Sequence, residues 1–257
     1  DLSLHAHLCL LALHTRRPVK MVYSREESFH GHVHRHPARM WYRHHADRAG
    51  NLVRVEARLL LDGGAYASSS GAVIANATCF AAGPYRVPSA DIEGVVVRTN
   101  NPPCGAMRGF GSVQACIGHE AQMDRLAAAL GMDPVELRLR NVLATGDRLS
   151  TGQVITGTAP VAEVLRTCVD HPSAASLSGD PMSLPGGAGR TADPAHVRRG
   201  EAVALGFKNL MFSEGYDDYS TATCSLDRGV ARIACAAVEM GQGFVTLAQQ
   251  ITREILG

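Results

Sequence analysis

The chain has 257 residues, 46% hydrophobic and 19% charged, an ordinary globular composition with length enough for a sizeable core. That balance excludes a disordered chain. A formal net charge of +1 gives no electrostatic case for nucleic acid or an anionic membrane as partner, and no apolar run reaches the length of a membrane span.

In chain order, Leu4, Leu8, Leu11 and Ala12 recur at helical spacing and predict a helix from Asp1 to about Arg16. Pro18 breaks it, and Val19 to Tyr23 reads as a short strand. Ser24-Arg25-Glu26-Glu27 has the form of a capping box that opens a short helix. His30, His32, His34 and His36 alternate, so a strand there would put all four on one face. Arg39 to His45 and Leu52 to Leu61 read as a hairpin, with a small-residue helix following from about Ser69 to Ala81. Ile92 to Thr99 is the next strand, and Asn100-Asn101-Pro102-Pro103 enforces an extended loop. Helices are then expected from Ser112 to Leu130, from Asp133-Pro134 to Leu143, and from Val161 to Val169.

From His171 to Gly200 the composition shifts to Pro, Gly, Ser and Ala, as in a linker. Strands are expected near Ala202 to Phe212, Ser220 to Leu226 and Val230 to Val238, the last apolar enough to be buried on both faces. A final helix carries Phe244, Leu247, Ile251 and Ile255 on one side. Seven scattered cysteines, with no C-x-x-C pair, argue against a disulfide framework or a local metal cluster and point to a reducing cytoplasm. The chain begins at Asp1 without an initiator Met or signal peptide and stops at Gly257 where a helix pattern ends, so both ends read as cuts through a longer protein.

Two loops carry chemistry-bearing residues. Met107-Arg108-Gly109-Phe110-Gly111 sets a cation, two glycines and an aromatic where the chain turns into a helix. Such a turn brings backbone N–H groups close to a ligand, and the helix N-terminus favours negative charge. Gly241-Gln242-Gly243 repeats the layout, with an amide suited to a heterocycle edge. Together the loops suggest a ligand held between two halves, although a plain tight turn fits either spacing. His30, His32, His34, His36, His44 and His45 invite a metal hypothesis, against which a solvated strand is the simpler reading. Glu120 is expected at the edge of an apolar helix face, with a buried carboxylate as the alternative. Ser213-Glu214-Gly215-Tyr216-Asp217-Asp218 gathers three acids that either line a cleft or form a turn.

At Arg108-Gly-Phe-Gly and Glu239-Met-Gly-Gln-Gly together, the chain resembles the molybdenum-binding large subunit of the xanthine dehydrogenase/aldehyde oxidase family, bacterial xanthine dehydrogenases in particular. Arg17-Pro-Val-Lys, Arg35-His-Pro, Asp62-Gly-Gly-Ala-Tyr, Pro84-Tyr85-Arg-Val-Pro88 and Glu136-Leu-Arg-Leu-Arg-Asn141 extend the likeness. The resemblance implies an α+β fold of mixed sheets with flanking helices, a two-part molybdopterin-binding domain incomplete at both ends. Its parts are residues 1–145, a helix and linker over 146–200, and the start of a second part over 201–257.

The resemblance also implies that Arg108 and Gly109, with Gly241, Gln242 and Gly243, bind molybdopterin, the cytosine dinucleotide form being one option. The Arg108 backbone would lie near the molybdenum, and Phe110 against a flat substrate. Hydroxylation of hypoxanthine or xanthine would follow, with water as oxygen source and electrons leaving through two-iron–two-sulfur clusters and FAD on partner subunits. Aldehydes or other nitrogen heterocycles are the alternative substrates, and a non-catalytic histidine-rich metal module is the alternative function. The family's catalytic glutamate is expected beyond Gly257, and a glycine-phenylalanine loop facing the metal before Asp1. Asn76 stands where the mammalian xanthine enzymes carry a substrate-binding arginine.

Overall fold

A computed structural model describes residues 2–171, 201–208 and 219–257, which fall into two compact units, Asp1–Lys208 and Asn209–Gly257. The first unit opens with α1 (Leu2–Thr15) and α2 (Arg25–Gly31). Ser24 caps α2 as its sequence requires: Glu27 N donates to the Ser24 hydroxyl, and the Glu27 carboxylate accepts from Ser24 N at 2.8 Å. Residues 19–23 form no strand. Val22 is exposed and the segment finds no ladder partner, without which a lone extended stretch gains nothing.

A three-stranded sheet follows: β1 (Ala38–Ala46), β2 (Leu52–Gly64) and β3 (Ser89–Arg98), in that spatial order. The β1–β2 hairpin is antiparallel, with Tyr42 opposite Ala57. β3 runs parallel to β2, with Ile92 opposite Ala57, and α3 (Ser70–Cys79) makes the crossover. Alternate residues Val55, Ala57, Leu59 and Leu61 of β2 are buried, as a strand covered on one face demands.

That face is covered by α3 and by α4 (Ser112–Leu130). Ala57 and Leu59 of β2 pack with Ala77, Ala81 and Ala115, so small residues let the layers close. Gly118 on α4 is a point of close approach, because a Cβ there would lie 2.1 Å from the Tyr42 ring. A second apolar cluster joins Leu52, Tyr85 and Met123 to α5 (Pro134–Asn141) and α6 (Val161–Val169) through Leu137 and Leu165. Asp133 caps α5 by accepting from Val135 N and Glu136 N, with Pro134 inside the first turn. The helix stops at Asn141, two residues earlier than the pattern suggests, because Val142 turns extended and bridges to Tyr85.

Residues 201–208, expected to open the second part with a strand, form none. Leu205 instead joins the core of the first unit, and Phe207 packs edge-on against Phe80. The remainder of that expected strand, the 172–200 linker and the Ser213–Asp218 acids lie outside the described residues. In the second unit β4 (Ala222–Asp227) pairs antiparallel with β5 (Val230–Cys235), followed by α7 (Phe244–Leu256). The expectation that this strand is buried on both faces and runs to Val238 is not met. It ends at Cys235 and is exposed except at Ala231 and Cys235, which are half-buried, since within the unit its only described ladder partner is β4. Among the described residues no helix is long and apolar enough to cross a membrane.

Candidate functional site

The loop leading to Arg108 is latched to the end of β2. The Asp62 carboxylate accepts from Thr99 Oγ1 at 2.6 Å, from Gly64 N at 2.9 Å and from Asn101 Nδ2. These donors, Thr99 first, hold its carboxyl below the usual carboxylate range. Ala65 N donates to Asn101 O and Cys104 N to Gly63 O, carrying the latch through Pro102-Pro103. On the other side of the loop His34 pairs with Cys104 in a parallel bridge, through His34 N to Pro103 O at 3.1 Å and Gly105 N to His34 O at 3.0 Å.

The turn itself is left-handed at three successive residues: φ is 92° at Gly109, 46° at Phe110 and 97° at Gly111. Two glycines reach that region without steric cost, whereas Phe110 carries about 1 kcal/mol of backbone strain. Gly111 also admits no side chain, because a Cβ there would sit 2.2 Å from Val73 O of α3. Phe110 N donates to Met107 O at 2.8 Å, and the Ser112 hydroxyl to Gly109 O at 2.6 Å, which seats the turn on the first residue of α4. Phe110 is half-buried and the Arg108 side chain exposed, while the Arg108 carbonyl accepts from Arg35 Nη2 at 2.6 Å.

Two buried side-chain atoms attached to this turn lack a hydrogen-bond partner: Arg35 Nη1, a donor, and Gln114 Oε1, an acceptor. Gln114, in the first turn of α4, uses its other end to donate to His36 O at 3.3 Å. The sequence brings in Arg35 only within a motif, and Gln114 only as the last residue of the stretch from Met107, with no role of its own. Neither spacing nor composition brings Arg35 to a carbonyl 73 positions away.

The second predicted turn lies in the second unit. Gly241 and Gly243 have φ of 96° and 82°, and Gly243 caps α7. The Glu239 carboxylate accepts from Gly241 N, Gly243 N and Val245 N, and those backbone donors, Val245 first, lower its pKa. The Gln242 amide is held by its own loop, accepting from Met240 N and donating to Val238 O, each at 2.7 Å.

Glu120 is not at an edge. It is 5% exposed and accepts from Tyr85 Oη at 2.5 Å, His119 Nδ1 at 3.0 Å, Arg138 Nε at 2.8 Å and Leu205 N at 3.0 Å. A carboxylate only accepts, so His119 Nδ1 carries the proton in that bond. Burial works to raise the Glu120 pKa, and the bonds from His119, Tyr85 and Arg138 with the Arg138 charge overcome it, holding the group at about 2. A carboxylate held that low is a poor proton acceptor near neutral pH. The network ties α4 to α5 and to residue 205. The local sequence supplies only His119, because the other three partners, Tyr85, Arg138 and Leu205, come from three separate segments.

The histidines do not share a strand face. His30 lies in the last turn of α2, which runs through Gly31, and His36 is buried with Nε2 2.8 Å from Ser70 Oγ. His44 is buried with both ring nitrogens unpartnered, and desolvation by burial, with the charge of His119 adding to it, lowers its pKa to about 4. Among the described residues no group of three or more His, Cys, Asp or Glu side chains is placed to hold a metal ion. Asn76 is buried on α3, where its amide donates to Ala72 O at 3.2 Å.

A family model described as the molybdopterin cofactor-binding domain matches residues 1–142. The nicotinate dehydrogenase large molybdopterin subunit of Eubacterium barkeri is 47% identical over 165 residues, 64% of this chain and 39% of that protein. A probable xanthine dehydrogenase subunit of Bacillus subtilis (strain 168) is 34% identical over 258 residues, 100% of this chain and 33% of that protein. Among solved structures, the aldehyde oxidoreductase from Desulfovibrio gigas superposes with a TM-score of 0.60 at 29% identity, over 66% of this chain and 19% of that one. The chain thus spans at most 39% of the length of each of these proteins.

Proposed function

This chain belongs to the molybdopterin cofactor-binding domain family, and from that premise we propose that it forms part of a molybdenum hydroxylase acting on a planar nitrogen heterocycle, a purine such as hypoxanthine or xanthine. The observation that carries the reading is the left-handed Gly109–Gly111 turn, with two unsatisfied buried polar atoms beside it. A cofactor rich in oxygen acceptors and N–H donors fits a site that offers one spare donor, Arg35 Nη1, and one spare acceptor, Gln114 Oε1. When bound, the molybdenum–pterin group supplies a two-electron acceptor for oxidation of an electron-poor carbon, with water as oxygen source.

In this reading Arg108 and Gly109 bind the cofactor through the turn, the Arg108 backbone lying toward the metal. Gly241, Gln242 and Gly243 bind it through the second turn, where the Gln242 amide exchanges its bonds to Val238 O and Met240 N for bonds to the pterin. Phe110 offers a flat face for stacking a planar substrate. Glu120 takes no part as a base, being buried, fully bonded and ionised well below neutrality. Electrons leave through iron–sulfur and FAD partners, and the protein works in the cytoplasm.

The 47% identity to the nicotinate dehydrogenase subunit favours a second reading, a pyridine carboxylate as substrate. Molybdenum and pterin content of the intact protein, produced with its partners, tests the cofactor. Turnover of hypoxanthine, xanthine, nicotinate and an aromatic aldehyde then ranks the substrates. A matured complex without molybdenum sinks the proposal, and turnover of the aldehyde alone removes the heterocycle.

A further inference from the structure

We propose that Arg35 is the positioning residue of the Arg108 turn, clamping its carbonyl with one guanidinium nitrogen and presenting the other to an anionic oxygen of the bound cofactor. The second half rests on the molybdenum-hydroxylase reading above, and the first half does not.

Arg35 stands on a fixed base. Its neighbour His34 is laddered on both sides to Pro103 and Gly105, and Cys104 Sγ lies 3.8 Å from Arg35 O. From there the guanidinium reaches forward to Arg108 O at 2.6 Å, closing a loop between residue 103, where the chain is anchored, and residue 108. A charge-assisted bond of that length is among the stronger single contacts a backbone carbonyl makes. It fixes the 108–109 peptide plane, and with it the direction of the Gly109 N–H.

The guanidinium has capacity left over. Nη1 is buried and unbonded, and among the described residues no carboxylate stands within ion-pair distance of Arg35. A guanidinium with a desolvated, unmet donor is costly to keep. A charged acceptor removes that cost.

The test uses Arg35→Met and Arg35→Lys in the intact protein with its partner chains, and reads hydrogen exchange and metal content. Loss of the clamp speeds amide exchange over residues 107–112 by about tenfold in Arg35→Met, leaving the α5 amides unchanged. The same variant releases molybdenum about tenfold faster on buffer exchange, and Arg35→Lys, which keeps the charge, recovers part of that retention. Unchanged exchange over 107–112 overturns the clamp, and so does equal acceleration of the turn and α5, which would make Arg35 a general stabiliser. Unchanged molybdenum release overturns the cofactor contact. If Arg35→Met does not fold, exchange in Arg35→Lys decides the clamp. A wild-type complex without molybdenum removes the functional reading and with it the cofactor contact, while the exchange measurement still decides the clamp.

Discussion

Arg138 is fully buried, and its Nε donates to the Glu120 carboxylate at 2.8 Å while Nη2 pairs with Asp124 at 2.8 Å. One guanidinium therefore joins α5 to two carboxylates a helical turn apart on α4. The Glu120 carboxylate in turn holds Tyr85, His119 and Leu205 N. Removing one member leaves a buried charge without its counterpart, the costly case for a buried pair. Arg138→Met is expected to destabilise the protein by about 3–5 kcal/mol, with Arg138→Met/Glu120→Leu recovering part of the loss. Urea denaturation of the two variants checks this, and a loss no larger for the single than for the double variant would show the pair uncoupled.

Acid stability should fall in two steps. His44 faces Tyr42, His45, His119 and Glu120, and its pKa lies near 4 against an ordinary 6.5. The unfolded chain takes up that proton first, so stability present above pH 6.5 is lost as pH falls through 4, by about 3 kcal/mol. Glu120, held near 2 against an ordinary 4.5, adds a second loss between those values. Chemical denaturation from pH 8 to 3 measures the profile. His44→Phe should flatten the upper step alone.

Close packing of α4 on β1 depends on the absence of a side chain at 118. Gly118→Ala places a methyl 2.1 Å from the Tyr42 ring, and the resulting shift should cost about 1–3 kcal/mol. Gly118→Ala/Tyr42→Leu should restore most of it. A melting temperature unchanged in the single variant would mean that the sheet and helix part without cost.

Replacing the exposed Arg108 side chain should matter little to folding, because the bond from Arg35 goes to the backbone carbonyl, which alanine keeps. Arg108→Ala is expected to shift stability by no more than about 0.5 kcal/mol while strongly reducing molybdenum retention and turnover. Paired measurements of melting temperature and metal content separate the two. A variant that unfolds but keeps its metal would make the turn's role structural.

Local chemistry settled much of this protein before any packing was known. The Ser24 capping box, the Asp133-Pro134 helix start, the β1–β2 hairpin and the bounds of α4 and α6 follow from interactions within a few residues, which a linear pattern records. The glycine turns at 109–111 and 241–243 were visible for the same reason, since positive φ is a local demand that glycine meets. Where a partner from elsewhere decides, the pattern misleads. Residues 19–23 have strand-like composition and no neighbour to pair with, and Glu120 is a residue type that usually sits at an edge yet has the environment of a core one. The same holds for the contact that now defines the candidate site. The sequence by itself placed Arg108 on a tight turn, but only the tertiary structure set the Arg35 guanidinium against its carbonyl, because charge and hydrogen bonding act through space across 73 positions of chain.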